Sequence, residues 1–356
     1  MAQSCDRIVG GLRKTGFIID IIHFTNRGKG FKRKQQQNGS YMPIPYEDSE
    51  SHVLNVTWNL IGQHTEYDCI ICFGGYLSMI GAPIFSQWTD KPLITFLRGN
   101  DFDTAIFTPR KRAILQDALL QSNTVFCVSG DKVNKIKRWV PETHVVHVPN
   151  SIDITNWQPV PSEIEFASKW KDEHAGDKLC LGLFGQLKAK KGAKFFVQAM
   201  SKTGLVDKAH LLLIGDTEEA LEQMLEEAGI SYSLLPFQDR YELMKYYLCC
   251  DALAIPSFYD GMPNVMLEAG ALGIPILASS VDGMKDVVEH EVEGLLFAPG
   301  SEEDCRKVLY QFFGMDEKDH KALGVNLKEK IINKFNIDHE ISKYQELISQ
   351  TIYSTH

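Results

Sequence analysis

The sequence predicts an α/β protein made of two doubly wound units, each built on a parallel sheet. Two patterns carry this reading. Apolar runs of strand length recur along the chain, each ending in a polar or glycine-bearing rim, and from residue 179 onward such runs alternate with segments of helical periodicity. The 356 residues, 44% apolar and 23% charged, suffice for two domains of ordinary size, each with its own core.

In the first half the strand-like runs are residues 18–24 (IIDIIHF), 68–75, 92–103, 124–131 and 144–153, each leading into a polar rim. Ahead of the first run, SCDRIVGGLRKTG reads as a helix that passes directly into it. The first unit is placed at residues 1–153. Residues 154–178, rich in proline and charge, read as a linker and hinge. The second unit spans 179–334, and residues 335–356 form a closing helix.

The second unit is the more regular. LCLGLFG is a strand ending at Gly185, and the polar turn through Gln186, Lys191 and Gly192 opens a helix with Phe195, Phe196 and Ala199 on one face. Residues 210–214 form a strand ending in Gly215, 218–228 a helix, 230–235 a strand, 241–250 a helix and 252–256 a strand. Ligands of such a sheet gather outside the carboxyl ends of its strands, which places Gly215, Phe237 and residues 257–260 on the rim.

The most informative segment is 258–278, FYDGMPNVMLEAGALGIPILA. Pro263 suits a first helical position, Gly273 a left-handed exit and Pro275 a stop. The first turn then presents the backbone N–H groups of Gly261, Met262, Asn264 and Val265 at the positive end of the helix dipole, a seat for a phosphate or for sugar hydroxyls. Asp260 and Glu268 bracket it with seven residues between them. Carboxylates beside an anion seat make sense if they hold neutral hydroxyls flanking a phosphate, as a nucleotide sugar presents.

This D-x7-E stretch resembles the E-x7-E region of the retaining GT-B glycosyltransferases of family 4, with Asp260 in the first acid's place. The resemblance implies a GT-B fold, two Rossmann-like domains facing a cleft. It implies that Asp260 holds donor-sugar hydroxyls, Glu268 the ribose and the intervening amides the phosphate. The family's strand, G-R-L, K-G, helix pattern is met at Gly185 and Lys191. Gln186 replaces the arginine, which leaves Lys191 as the main phosphate cation. The backbone after the strand near Leu235 reads the base in this family, so Pro236, Phe237 and Gln238 are candidate base contacts; Phe237 reads equally well as core. HVPNSID, at residues 147–153, resembles the passage that closes the first domain. The helix from Phe335 resembles the one that crosses back to it.

At the rim of the third run the family places His-Gly, where this chain has Arg98-Gly99-Asn100-Asp101. Arg98 is read as holding an anionic acceptor or a donor phosphate, with Asn100 and Asp101 on the acceptor side; the alternative is that Arg98 pairs with Asp101 or Asp103 to fix the loop.

The net charge of −9 is uneven: the first 150 residues hold 17 Lys and Arg against 13 Asp and Glu, leaving 20 against 33 for the rest. Arg27, Lys29, Lys32, Arg33 and Lys34 cluster in NRGKGFKRK, ahead of a polar QQQNGS run. They form either a solvated loop or a patch for an anionic lipid surface or a pyrophosphate-linked acceptor. Nucleic acid is not an expected partner. No window is long and apolar enough to span a bilayer and residues 1–10 show no signal-peptide pattern, so the expected location is cytoplasmic, peripheral to the membrane at most. The eight cysteines read as reduced thiols, and Cys69-x-x-Cys72 lacks a second ligand pair for zinc.

The expected activity is retaining, metal-independent transfer of a sugar from a nucleoside diphosphate, UDP before GDP, to a glycan or lipid-linked acceptor, with no other cofactor. The alternatives are a catalytically weak subunit that binds nucleotide sugar beside a partner transferase, motivated by the departures at Gln186, Asp260 and Arg98, and a sugar-nucleotide epimerase. A GT-B first domain also has a strand and a glycine-rich turn ahead of its first helix. The expectation is therefore that this strand is missing from the first sheet, supplied either by about 15 to 25 further upstream residues or by a partner chain.

Overall fold

The computed structural model describes residues 2–26, 32–46, 49–61, 66–99 and 101–354. The chain divides into two units, one of Met1–Pro149 with Asp338–His356 and one of Asn150–Ile337.

The strands of the first unit are β1 (Ile19–Thr25), β2 (Lys34–Gln36), β3 (Gly39–Pro45), β4 (Ile70–Phe73), β5 (Leu93–Leu97), β6 (Thr124–Cys127) and β7 (Val145–His147). They form two sheets, β1-β3-β2 and β4-β5-β6-β7. All pairs are parallel except β2 with β3. Every residue of β5 and β6 is buried, as their unbroken apolar runs require of strands covered on both faces. Among the described residues β1 and β4 do not pair with each other.

The polar QQQNGS run lies in the hairpin of β2 and β3, which the sequence reading did not include. Asn38 adopts a left-handed conformation (φ 54°), and a side chain on Gly39 would collide with the Ile19 carbonyl, so glycine is what lets β3 lie beside β1. Arg33, read as one of five surface cations, pairs with Asp20 at 2.7 Å and donates to Ser40 Oγ at 2.8 Å. Lys32 and Lys34 are exposed; Arg27 and Lys29 lie outside the described residues.

The closing helix Ile337–Tyr353 belongs to this first unit. Its Glu340, 5% exposed, receives Arg98 Nη2 at 2.6 Å and Arg7 Nε at 2.9 Å. Arg98 also donates to the Val148 carbonyl at 3.1 Å and to the Tyr344 hydroxyl, and the Tyr344 ring packs against Phe96 and Phe126 with centroids 5.0 and 5.2 Å away.

The second unit holds one parallel sheet of β8 (Leu179–Phe184), β9 (Ala209–Ile214), β10 (Ser231–Leu235), β11 (Ala252–Ile255), β12 (Ile276–Ser279) and β13 (Gly294–Phe297), in the order β10-β9-β8-β11-β12-β13. Alternate residues feed two cores: Cys180 and Phe184 of β8 join one, Leu181 and Leu183 the other. The residues read as a linker instead hold the helix Pro161–His174, which buries Ala167 and Trp170 in the core of this unit. Its proline sits at the helix start, where a missing N–H costs nothing, so a proline- and charge-rich composition was no obstacle to a helix.

Glu340 neutralises two arginines in a buried place, so Glu340→Ala should cost about 3–5 kcal/mol by leaving them uncompensated. The exposed Glu346→Ala on the same helix should stay within about 0.5 kcal/mol. Urea unfolding midpoints of the two variants check this.

Candidate active site

In the second unit the strand order runs outward from β8 through β9 to β10 and, the other way, from β11 to β13. The reversal lies between β8 and β11, and such switch points open a crevice at the carboxyl ends of the two strands. Nearly all the donor-side residues named from the sequence gather on this rim.

After β8 the chain turns at Gly185 (φ 111°), whose N–H donates to the Ile214 carbonyl at 2.8 Å. Gly215 (φ 133°) follows β9, and any side chain there would strike the Gly185 carbonyl. Gln186 is exposed, while the buried Leu187 anchors its loop and donates its N–H to Asp216 O at 2.9 Å. A short turn, Ala189–Lys191, then reaches Gly192 (φ 70°), which fits tightly under the Pro256 carbonyl. Phe258 N–H donates to Lys190 O at 2.9 Å, tying the loop after β8 to the loop after β11. Across this tie the Lys191 ammonium is ion-paired with the Asp260 carboxylate, both largely shielded from solvent.

From Asp260 the chain passes through Gly261 and Met262 into the helix Asn264–Leu272. Pro263 (φ −69°, ψ 135°) flanks this helix as its cap instead of occupying the first helical position, because its extended ψ keeps it outside the helix. Gly273 ends the helix in the left-handed conformation expected of it. Among the described residues the amides of Gly261, Met262 and Val265 donate to no acceptor. The Gly261 carbonyl is held by Gly283 N–H and the Met262 carbonyl by Asn150 Nδ2, both at 2.7 Å.

One turn into the helix, Glu268 accepts a hydrogen bond from the Tyr247 hydroxyl at 2.7 Å. Tyr247 is fully buried against Phe184 and Trp157, with ring centroids 4.7 and 5.8 Å away. Burial raises the Glu268 carboxyl above its ordinary 4.5, while the Tyr247 bond and the Arg240 charge pull it back. The same contact and burial lift the Tyr247 phenol well above its usual range, so it remains a donor.

Beyond β10, Gln238 Nε2 donates to Pro236 O at 3.1 Å, and Phe237 is 73% exposed, which removes its core reading. Tyr247 and Asn150 were missed as site residues. Tyr247 sits in the apolar helical stretch YELMKYYLCC, where nothing distinguishes a buried donor from core. Asn150 carried a signal in HVPNSID, a polar residue in an apolar passage, but its partner is 112 positions away.

Arg98 is a correction. It is 6% exposed and its guanidinium is engaged by Glu340, Tyr344 and Val148, so it is a structural clamp and not an acceptor contact. The alternative pairings fail as well: Asp103 is ion-paired with Lys132 at 2.9 Å, and Asp101 accepts from Gly75 N–H at 3.3 Å. Asn100 lies outside the described residues.

Residues 165–330 match the family model described as glycosyl transferases group 1. An uncharacterized glycosyltransferase of Methanocaldococcus jannaschii is 32% identical over 329 residues, covering 84% of this chain and 81% of that protein. The Escherichia coli UDP-Gal:alpha-D-GlcNAc-diphosphoundecaprenol alpha-1,3-galactosyltransferase is 23% identical over 209 residues, 56% of this chain and 52% of the relative. Among solved structures, sucrose-phosphate synthase from Thermosynechococcus elongatus superposes with a TM-score of 0.82 at 18% identity, covering 97% of this chain and 91% of that one, a likeness of GT-B fold. With identity of this extent to a glycosyltransferase and the family model matched over the donor-side rim, the chain belongs to the glycosyl transferases group 1 family and is a glycosyltransferase.

Proposed function

We propose that the chain transfers a sugar from a UDP-sugar to a hydroxyl of a glycan or lipid-linked acceptor, with retention of configuration and without a metal ion. The observation that carries this reading is the convergence, on one rim, of the Lys191 cation, the Asp260 carboxylate and the amides that open the helix Asn264–Leu272. The diphosphate takes the ammonium of Lys191 and the amides of Gly261, Met262, Asn264 and Val265. Asp260, released from Lys191, accepts from hydroxyls of the donor sugar. Glu268, aimed by Tyr247, accepts from the ribose hydroxyls. Pro236, Phe237 and Gln238 meet the base, with Gly185, Gln186 and Gly215 bordering the pyrophosphate. The Escherichia coli relative's UDP-linked donor and diphospholipid acceptor support the choice of UDP and of a lipid-linked acceptor.

In this reading the bond from the anomeric carbon to the diphosphate breaks as the acceptor oxygen bonds the same face. The leaving diphosphate oxygen takes the acceptor's proton, so no side-chain base is required. Lys191 and the helix amides stabilise the charge developing on the diphosphate, the role a divalent cation fills elsewhere. Nucleotide release from UDP- and GDP-sugars, with and without acceptor and with a chelator present, tests the donor and the metal independence; the anomeric configuration of the product tests retention. Binding without release in every condition would favour the reading as a catalytically weak subunit. Among the described residues no helix is long and apolar enough to cross a membrane, and we further propose that the basic segment brings the chain to an anionic lipid surface.

Lys191→Ala should lower turnover by roughly 10² or more with the fold intact, because its interaction grows as the diphosphate leaves. Glu268→Ala should raise the donor KM with a smaller effect on kcat, since the ribose contact is the same in ground and transition states. Wild-type kinetics in both would remove the site assignment.

Glu268 must be ionised to accept from the ribose, and its pKa lies above 4.5. UDP affinity should therefore fall as the pH is lowered through that raised value, and Glu268→Gln should flatten the fall. Calorimetric titration from about pH 7 to about pH 4 reads this out.

Binding to vesicles containing anionic lipid should weaken with salt and vanish when Arg27, Lys29, Lys32, Arg33 and Lys34 are all neutralised. Each is worth up to about 1 kcal/mol, with Arg33 contributing least because Asp20 already holds it. Salt-independent binding, or none, would return the segment to a solvated loop.

A further inference from the structure

With Arg98 withdrawn into the fold, the carboxyl edge of the first unit presents a different set of polar side chains, brought together from four separate elements. Tyr46 follows β3 and donates its N–H to Thr25 O of β1 at 2.8 Å. Glu50 opens the helix Glu50–Ile61, Tyr76 opens the helix Tyr76–Thr89 just past β4, and Arg110 lies in the first turn of the helix Pro109–Gln121. Arg110 Nη2 donates to Glu50 Oε2 at 2.6 Å, and its guanidinium carbon lies 5.7 Å from the centre of the Tyr76 ring. The Tyr76 phenol also hydrogen-bonds Glu50, with Tyr46 near enough to act on it. Desolvation and then the Glu50 bond raise this phenol above its ordinary 10, so it keeps its proton and remains a donor. Tyr46 and Leu77, the residue after Tyr76, border a cavity of about 420 Å³ together with His23, Phe24, Thr25 and Asn26. That volume lies within the roughly 300–1,000 Å³ of small-molecule pockets.

The charge of the cluster decides what it suits. Glu50 and Arg110 cancel, so the four side chains are neutral as a set while offering a carboxylate, a guanidinium and two phenols. A phosphate would have to displace Glu50 from Arg110 and then lie beside the freed carboxylate. A sugar ring needs no such exchange. Its hydroxyls can donate to the carboxylate and accept from the guanidinium and phenols, and its C–H face can pack on an aromatic ring, whose π face is negative. Stability does not account for the ion pair, because the Arg110 side chain is 70% exposed and pairs so open to water contribute little.

We propose that Tyr46, Glu50, Tyr76 and Arg110 form a sugar-binding subsite, and that the acceptor presents an uncharged sugar ring to it and not an anionic group. The ring's C–H face lies on Tyr46 at the cavity's edge, and its hydroxyls bridge Glu50, Arg110 and the Tyr76 phenol. That this sugar is the acceptor rests on the transfer reaction proposed above; that a sugar binds here rests on the cluster alone.

Saturation-transfer NMR of the full chain reads binding without turnover. The probes are the methyl glycosides of glucose, galactose, mannose and N-acetylglucosamine, with glycerol 3-phosphate as the anionic control. At least one glycoside should bind, and glycerol 3-phosphate should not displace it. Tyr46→Ala, Tyr76→Ala and, on the exposed side of the cluster, Arg110→Gln should each weaken that glycoside by about 10-fold or more while UDP affinity stays at the wild-type value. Glu50→Gln, which frees Arg110, should gain glycerol 3-phosphate binding that the wild type lacks, a change that loss of folding cannot produce. No glycoside bound by the wild type, glycerol 3-phosphate bound in its place, or wild-type glycoside affinity in the Tyr76 and Arg110 variants would overturn the proposal. A bound glycoside that receives no sugar from any UDP- or GDP-sugar would support the sugar site and overturn the transfer reading instead.

Discussion

The donor-side rim depends on two approaches of backbone to backbone that only glycine permits. Gly215 lies against the Gly185 carbonyl and Gly192 against the Pro256 carbonyl, in each case where a β-carbon would collide. The first contact brings the ends of β8 and β9 together, and the second draws the loop after β8 onto the loop after β11. Because these loops meet, Lys190 can accept from Phe258 N–H and Lys191 can reach Asp260, 69 positions away. Both glycines have positive φ, so a substitution would suffer strain as well as collision. The electrostatics of the site are thus a consequence of sterics one layer below it.

Given that framework, the two acids are handled differently. Asp260, in the loop after β11, is set against a cation carried by the loop after β8; under the proposed function it exchanges that partner for a ligand hydroxyl while Lys191 moves to phosphate. Glu268 is set against a neutral phenol in a buried place, and its partner lends a proton without a charge. A cation at Tyr247 would have held the carboxylate more strongly, leaving less of its acceptor capacity for a neutral hydroxyl. The neutral donor fixes the carboxylate's orientation and keeps its second oxygen available in kind. One acid is therefore suited to a site where charge is redistributed, the other to recognition of a hydroxyl.

The second unit was legible because β8, β9 and β11 are short, largely apolar and followed at once by a glycine or proline, and β10 too ends at a proline, so period and punctuation agree. Its site was legible where chemistry is local: Asp260, Glu268 and the helix start lie within nine residues of each other. It was not legible where the partner is distant. Arg98 looked like a ligand contact because a cation at a strand rim is usually exposed, and Glu340, which buries it, stands 242 positions away. The β2–β3 hairpin was missed for the opposite reason: Asn38-Gly39 is a strong local turn signal, but the flanking QQQ has no apolar alternation and the strand it forms is an exposed edge.

The same contrast explains the first unit. Its strands β5 to β7 are held by core on their own sheet and by Tyr344 of the closing helix, packed against Phe96 and Phe126. The sheet of β1 to β3 has no such share in that core. Tyr67 donates to Asp20 of β1 at 3.0 Å, and Arg7 on the first helix reaches Glu340 on the last. Glu340 thus joins the end of β5, through Arg98, to the helix that leads into β1. A buried acid with two arginines is a weak source of net stability but a strict one for geometry, since neither arginine tolerates its loss. Holding the first helix and the closing helix against the end of β5 is the role that strictness suits, because one carboxylate then ties three elements at a fixed geometry.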